Sequence, residues 1–305
     1  MLRLTRLFIP IASLCVAPAA WAETSPDPIR LSAEFSVGGI TDSDVGIADL
    51  DQTTRNSDTA LKLGAKLNVE AKPTNKLTLR AGYEFNDTQY QEFSDFDLQT
   101  HLATGEAAYT IGKTDAGLMV AFADARLDGA SYLVLSQASP FVQRTFGSSL
   151  VLRGAYVRAE RDFKIEDGRD ATSDELQADA FFLLDSTNRY VILGGKTGTS
   201  KADDSTFSFT SGGGKARFVN RFDLFGQEAK LRLGAEAEIR DFESIPAGMT
   251  ETRRDELLAG TGDLSVPIRG PISLDLGYEY RARESNLQAA DYDEHVGRAE
   301  LKVAF

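Results

Sequence analysis

The last fifteen residues read Asp291-Tyr292-Asp293-Glu294-His295-Val296-Gly297-Arg298-Ala299-Glu300-Leu301-Lys302-Val303-Ala304-Phe305. Within them Ala299, Leu301, Val303 and Phe305 alternate with Arg298, Glu300 and Lys302. Period-two alternation puts successive side chains on opposite faces of a strand. A strand that meets lipid on one face and a wet lumen on the other requires that pattern.

Working back from this end, alternation and turn residues divide the chain into segments near 29–39, 58–71, 76–86, 98–111, 116–126, 131–145, 149–163, 175–184, 189–198, 206–222, 228–241, 255–266, 272–282 and 292–305. Two are unambiguous. Leu61, Leu63, Ala65, Leu67 and Val69 stand against Lys62, Lys66 and Glu70, and Ala229, Leu231, Leu233, Ala235, Ala237 and Ile239 stand against Lys230, Arg232, Glu236, Glu238 and Arg240. The segments at 131–145, 149–163 and 189–198 alternate poorly, and Pro140 suits a bulge or a strand end. The expected fold is all-β: a transmembrane antiparallel up-and-down β-barrel of about 14 strands, spanning 29–305.

Connection lengths support this reading independently. Short links at 72–76, 112–115, 146–149, 185–189, 223–227 and 267–271 alternate with longer ones at 40–57, 87–97, 164–174, 199–205, 242–254 and 283–291. Outer-membrane barrels join strands by short periplasmic turns and longer external loops. Leu127-Asp128-Gly129-Ala130 alone breaks the long series. A soluble β-sandwich also alternates along its strands, but it has no reason to alternate loop length. The aromatic Phe305 at the end resembles the assembly signal of bacterial outer-membrane proteins, which implies the barrel-assembly machinery as a partner.

The N-terminus fits that destination. Arg3 and Arg6 precede the apolar run Leu7–Val16, and Ala20-Trp21-Ala22 is a small-x-small cleavage site, so residues 1–22 read as a cleaved signal peptide. Residues 23–28 are then a short periplasmic lead. Leu14 before Cys15 departs from a lipidation motif. Cleavage removes the single Cys and the single Trp, so neither disulfides nor cysteine metal sites are available to the mature chain. It also leaves 31 Lys and Arg against 46 Asp and Glu, a net charge of 31 − 46 = −15, which argues against nucleic acid as a partner. Outer-membrane lipid and lipopolysaccharide are the expected surroundings.

Charge is divided by position. The external segments 40–58, 86–97, 164–175, 241–256 and 283–294 hold 23 acids against 6 bases. Asp42, Asp44, Asp49 and Asp51 form a candidate acidic rim that would attract cations. They also offer oxygen ligands for calcium, although the spacing is not that of an EF-hand. With the apolar parity assigned to lipid, the lumen receives Arg30, Lys62, Lys66, Arg80, Lys230, Arg232, Arg240, Arg281, Arg298 and Lys302, against Glu34, Glu70, Glu84, Glu236, Glu238, Asp275, Glu279 and Glu300. Such a mixture fits cross-strand ion-pair ladders or a weakly selective pore. Tyr83, Tyr90, Phe93, Tyr109, Tyr156, Phe163, Phe242, Tyr278 and Tyr280 suit interfacial girdles.

Catalytic patterns are weak. His101 and His295 are the only histidines, and neither has a serine two residues on. Gly195-Lys196-Thr197 lacks the leading glycine of a phosphate-binding loop, with Tyr190 in its place. Gly212-Gly213-Gly214 inside a strand suggests a bulge or tight curvature. No enzyme activity and no cofactor is expected.

Thr41-Asp42-Ser43-Asp44-Val45, Leu127-Asp128-Gly129, Ser285-Asn286-Leu287 and Tyr292-Asp293-Glu294-His295 resemble the C-terminal barrel of surface lipoprotein assembly modifiers and related uncharacterised outer-membrane barrels. The resemblance implies fourteen strands over nearly the whole mature chain. Members usually carry an N-terminal tetratricopeptide domain, where this chain has Glu23 to Pro28. No site residue is carried over, and any periplasmic partner stays unspecified. The leading functional expectation is a channel or transport barrel for small solutes with weak cation preference. Export of other molecules, or a structural or adhesive role, are the alternatives.

Overall fold

The computed structural model describes residues 29–305. The expected signal peptide and the segment 23–28 lie outside the described residues. Fourteen strands close into one antiparallel barrel. In chain order they are β1 (Ile29–Asp42), β4 (Asp58–Thr74), β5 (Leu77–Tyr90), β6 (Leu98–Ile111), β7 (Thr114–Leu127), β8 (Ala130–Phe146), β9 (Leu150–Phe163), β10 (Ala171–Asp185), β11 (Arg189–Ala202), β12 (Phe209–Leu224), β13 (Gln227–Phe242), β14 (Arg254–Arg269), β15 (Ile272–Ser285) and β16 (Tyr292–Ala304). Two-residue strands β2 (Gly46–Ile47) and β3 (Gln52–Thr53) pair within the first long loop. Each barrel strand pairs with its sequence neighbour, and β1 pairs with β16 from Glu34↔Ala304 to Asp42↔Val296 to close the ring. Closure removes the unpaired edge that an open sheet would present to lipid.

The faces follow the expected parity. Phe35, Leu61, Leu63, Leu67, Leu233 and Leu301 point outward and stay exposed, as a lipid-facing surface requires. Their even-numbered neighbours Lys62, Lys66, Arg232 and Glu300 make ion pairs inside. Links at one end of the barrel are short: two residues join β4 to β5, β6 to β7, β12 to β13 and β14 to β15. The exceptional link at the other end is a two-residue turn, with Asp128 at φ 47° and Gly129 at φ 77°. An Asp-Gly pair suits it because both central residues of this hairpin turn require positive φ.

The segments at 131–145, 149–163 and 189–198 form strands, as expected. They alternate poorly because their inner face is also apolar: Leu133, Leu135, Phe141, Val151, Val157, Ala159, Phe163 and Ile192 are all buried. Pro140 marks neither a bulge nor an end. Pairing with β9 keeps one register on both sides of it, Ala138↔Arg158 and Phe141↔Ala155, and lapses only at Ser139 and Pro140, where the missing N–H interrupts the ladder. Gly212–Gly214 lies in unbroken register with both neighbours rather than in a bulge. Of the expected girdle, Tyr83, Tyr109, Tyr156 and Tyr278 are exposed outside, whereas Phe163 and Phe242 are buried and the Tyr90 hydroxyl turns in to Asp42.

Candidate constriction site

The first long loop, residues 43–57, carries apolar side chains where a solvated loop would be polar: Val45, Ile47, Ala48 and Leu50 are nearly fully buried. The loop holds its own shape. Gly46↔Thr53 and Ile47↔Gln52 pair, Ala48–Leu50 forms a single 3-10 turn, and the Thr54 hydroxyl donates to the Val45 carbonyl at 3.0 Å. The Asp44 carboxylate accepts from the Thr53 hydroxyl and from the Arg55 N–H at 2.7 Å. With its backbone so satisfied, the loop folds into the barrel mouth. Ile47 and Leu50 join Leu98, Ala125, Leu127, Tyr132, Leu133 and Phe163 in one apolar cluster on the β6–β9 wall. Fully burying side chains of this size is worth roughly 1.5–3 kcal/mol each. That cluster is also why β8 and β9 are apolar on both faces.

The other side of the loop is ionic. Asp51, in the left-handed region at φ 53°, ends the turn and points to the opposite wall. Arg253 grips it with two parallel bonds of 2.7 Å, Arg283 donates at 2.8 Å and Arg169 at 3.1 Å. Arg169 and Arg283 also donate to the Asp49 and Ala48 carbonyls, at 2.9 and 3.3 Å. Arg253 is bidentate to Asp255 as well, and its guanidinium lies 4.4 Å over the Phe242 ring. Burial disfavours the Asp51 carboxylate, but the Arg253 hydrogen bonds and the charges of Arg253, Arg283 and Arg169 outweigh it and hold its pKa well below the usual range. Asp49 is the contrary case: burial pushes its pKa up, and the more distant charges of Arg161, Arg240, Arg283 and Arg169 offset this only in part. The loop thus crosses the mouth as a bar, apolar against one wall and ionic against the other.

Beneath it the loop bounds a cavity of about 150 Å³ reaching along β8–β13. The candidate lumen residues meet below and beside this cavity. Lys62 reaches Glu300 at 3.0 Å, Lys66 reaches Glu84 at 3.2 Å, and Arg80 bridges Glu70 and Glu106. Glu236 and Glu238 share Lys196 at 2.9 and 2.6 Å, and Arg240 meets Glu238 at 2.7 Å. Arg281 pairs with Glu279 at 2.7 Å and Glu294 at 3.2 Å, while Arg232 and Arg298 both reach Asp263. The lining is therefore a nearly charge-balanced ion-pair network.

The four aspartates assigned to a rim do not form one. Asp42 is buried and accepts from the Tyr90 hydroxyl and the Asp44 N–H, both at 3.0 Å, and Asp51 is enclosed by arginines. Among the described residues no group of three or more acidic, His or Cys side chains is placed to hold a metal. Exposed acids of the mouth instead include Glu92, Asp95, Asp203, Asp204, Glu243, Glu251, Glu284, Asp291 and Asp293. His101 and His295 lie on the outer face, each 2.7 Å from a tyrosine hydroxyl, Tyr83 and Tyr278. Phe305 extends the β1–β16 seam: its N–H donates to the Ala33 carbonyl at 2.8 Å and its carbonyl accepts from Ala33 at 3.1 Å.

Sequence reasoning missed Arg169, Arg253, Arg283 and Arg161. Arg283 has the same parity as Arg281 and Glu279, so the signal was present but lay one residue beyond the expected end of its strand. Arg161 sits on a strand whose apolar inner face hides the alternation. Arg169 and Arg253 belong to external connections, where local pattern carries no direction.

Compared by sequence, the chain matches no family model and no curated protein. The resemblance to surface lipoprotein assembly modifiers therefore gains no support from sequence comparison. Compared by fold, it is similar to an anion-selective porin from Comamonas acidovorans, with TM-score 0.51 at 10% identity over 91% of this chain and 99% of that one. It is likewise similar to OmpT, an outer membrane protein of Vibrio cholerae, with TM-score 0.51 at 8% identity over 94% of this chain and 100% of that one. At such identities the likeness establishes the architecture, an outer-membrane-type β-barrel.

Proposed function

We propose that this chain is a bacterial outer-membrane channel for small solutes, with the loop at 43–57 as its constriction. The observation that carries the reading is that loop: it spans the mouth and is fixed at both ends, by the Ile47 and Leu50 cluster and by Asp51 among three arginines. A loop built to bind a partner outside the cell would present its apolar residues outward. Here they turn inward, which narrows the lumen.

Selectivity among simple ions is weak in this reading, because acids and bases are nearly balanced along the lining and most of them pair. A slight cation preference arises at the outer mouth from exposed acids such as Glu92, Asp95, Asp203, Asp204, Glu243 and Glu251. Screening shortens their reach to about 10 Å at 0.1 M salt and about 3 Å at 1 M, so the preference fades as salt rises. Planar-bilayer recording tests both parts. The purified barrel conducts, and reversal potentials in asymmetric KCl show a cation preference that declines with salt and with amide substitution of those six acids. A barrel that does not conduct overturns the channel; an anion preference, or one indifferent to salt and substitution, overturns the assignment to the mouth.

A further inference from the structure

Almost every charge on the cavity beneath the loop is matched by an opposite one: Asp51 by three arginines, Lys196 by two glutamates, Arg240 by Glu238. Two are not. Arg161 donates to the Ser173 hydroxyl at 3.2 Å but has no carboxylate within ion-pair distance among the described residues. The Asp49 carboxylate has neither a hydrogen bond nor an ion pair among them, although its backbone carbonyl accepts from Arg169. Both residues line the same cavity, one from β9 and one from the loop. A buried charge left without a partner is costly. Arg161 and Asp49 feel each other's charge but make no ion pair with each other, and both face one space.

The remaining wall decides what sort of molecule would match them. Leu133, Leu135, Val157 and Phe163 line the cavity on the Arg161 side and offer no polar atoms from their side chains. The volume, about 150 Å³, is that of cavities known to admit a benzene-sized body. A simple anion would satisfy Arg161 and leave Asp49; a simple cation would do the reverse. A molecule carrying both charges a few bonds apart, with a small apolar body, satisfies all three features.

We propose that this cavity binds a zwitterionic solute of the α-amino acid class with a small apolar side chain, its carboxylate on Arg161, its ammonium on Asp49 and its side chain against Leu133, Leu135 and Val157. The proposal rests on the channel reading for the route by which the solute arrives. The upward displacement of the Asp49 pKa by burial agrees with it, since an ammonium group alongside would favour the ionised form.

The test is calorimetric titration of the refolded barrel in detergent with L-valine, isovalerate, which lacks the ammonium, and isobutylamine, which lacks the carboxylate. Valine binds saturably, and each analogue binds about tenfold more weakly or worse, since each leaves one polar group of the site unpaired. Asp49→Asn weakens valine and removes its advantage over isovalerate. Arg161→Gln weakens valine and removes its advantage over isobutylamine, with Arg161→Lys retaining part of the affinity. Heat-modifiable mobility confirms that each variant is folded; should Arg161→Gln fail to fold, Asp49→Asn and the two analogues decide alone. Absence of valine binding, equal binding of the analogues, or an Asp49→Asn variant with unchanged preference overturns the site. Conductance is recorded separately: a conducting barrel indifferent to valine leaves the channel standing without this site, and a barrel that binds valine but does not conduct leaves the site standing without the channel.

Discussion

Lys196 on β11 and Glu238 on β13 meet at 2.6 Å although β12 runs between them. They can do so because the residue directly between them in register is Gly213, paired with Lys196 on one side and Glu238 on the other. The arrangement recurs. Lys62 and Glu300 meet across Gly38, Lys215 and Asp179 across Gly194, and Arg298 and Asp263 across Gly277. Adjacent strands lie about 4.8 Å apart, so each pair spans two strand spacings over a missing side chain. Glycine here provides space for an ion pair rather than backbone freedom.

Gly213→Ala should therefore destabilise the barrel. A Cβ at that position would lie 2.6 Å from the Ala237 carbonyl oxygen and 3.2 Å from the Glu238 backbone. Overpacking of this kind costs about 1–3 kcal/mol. At Gly212, one residue away on the lipid face, a Cβ meets nothing within 4 Å, so Gly212→Ala should be close to neutral. Urea unfolding in lipid vesicles compares the two, and equal free energies would reject the role given to the inward glycines.

Asp51→Asn should release the loop. Asparagine tolerates the left-handed backbone of this position, so the change removes charge with little strain. Taking away one partner of a buried ion pair costs about 3–5 kcal/mol, and three guanidinium groups lose their shared carboxylate here. Faster amide exchange across residues 45–53 and a larger single-channel conductance are the expected readings. Unchanged exchange would show that the apolar cluster alone holds the loop.

The same latch should persist well into acid. The Asp51 pKa is depressed in the folded state, so its stabilising contribution is present above the unfolded value of about 3.9 and is lost only as pH falls through the lower folded value. Protection of the loop amides, taken relative to intrinsic exchange at each pH, should consequently not decrease from pH 7 to about pH 4 and should fall below that. Loosening near neutral pH would place control of the loop on another group.

Leu233→Arg should block insertion or destabilise the barrel by about 2–4 kcal/mol if the side chain sits near the lipid midplane. The same change at Gly234 should be milder, because that position faces the lumen and its nearest obstacle is the Thr261 hydroxyl, which can rotate away. Similar unfolding free energies for the two would refute the assigned faces.

Deleting Phe305 should lower outer-membrane yield more than it lowers the stability of assembled barrel. The side chain is 71% exposed and contributes little packing, while its backbone adds two hydrogen bonds to the seam with Ala33. Equal yield and equal heat-modifiable mobility for truncated and intact chains would remove the assembly role.

The architecture was legible in the sequence because lipid and water act on each strand locally. A strand with one wet and one oily face must alternate, and Leu61–Val69, Ala229–Ile239 and Ala299–Phe305 do so without reference to any other part of the chain. Where alternation failed, at β8, β9 and β11, the strands formed nonetheless, for a reason no local window contains. Leu133 and Phe163 face inward onto Ile47 and Leu50, which lie 80 or more residues away in the sequence. The constriction was illegible for the same reason. Asp51 reads as one more acid in an acidic loop until the tertiary structure brings Arg169, Arg253 and Arg283 to it from three distant segments, turning an expected rim charge into a buried latch. Parity is set by the pleat of one strand and can be counted along the chain; which loop folds inward, and which charges it meets there, is set only by the closure of the whole ring.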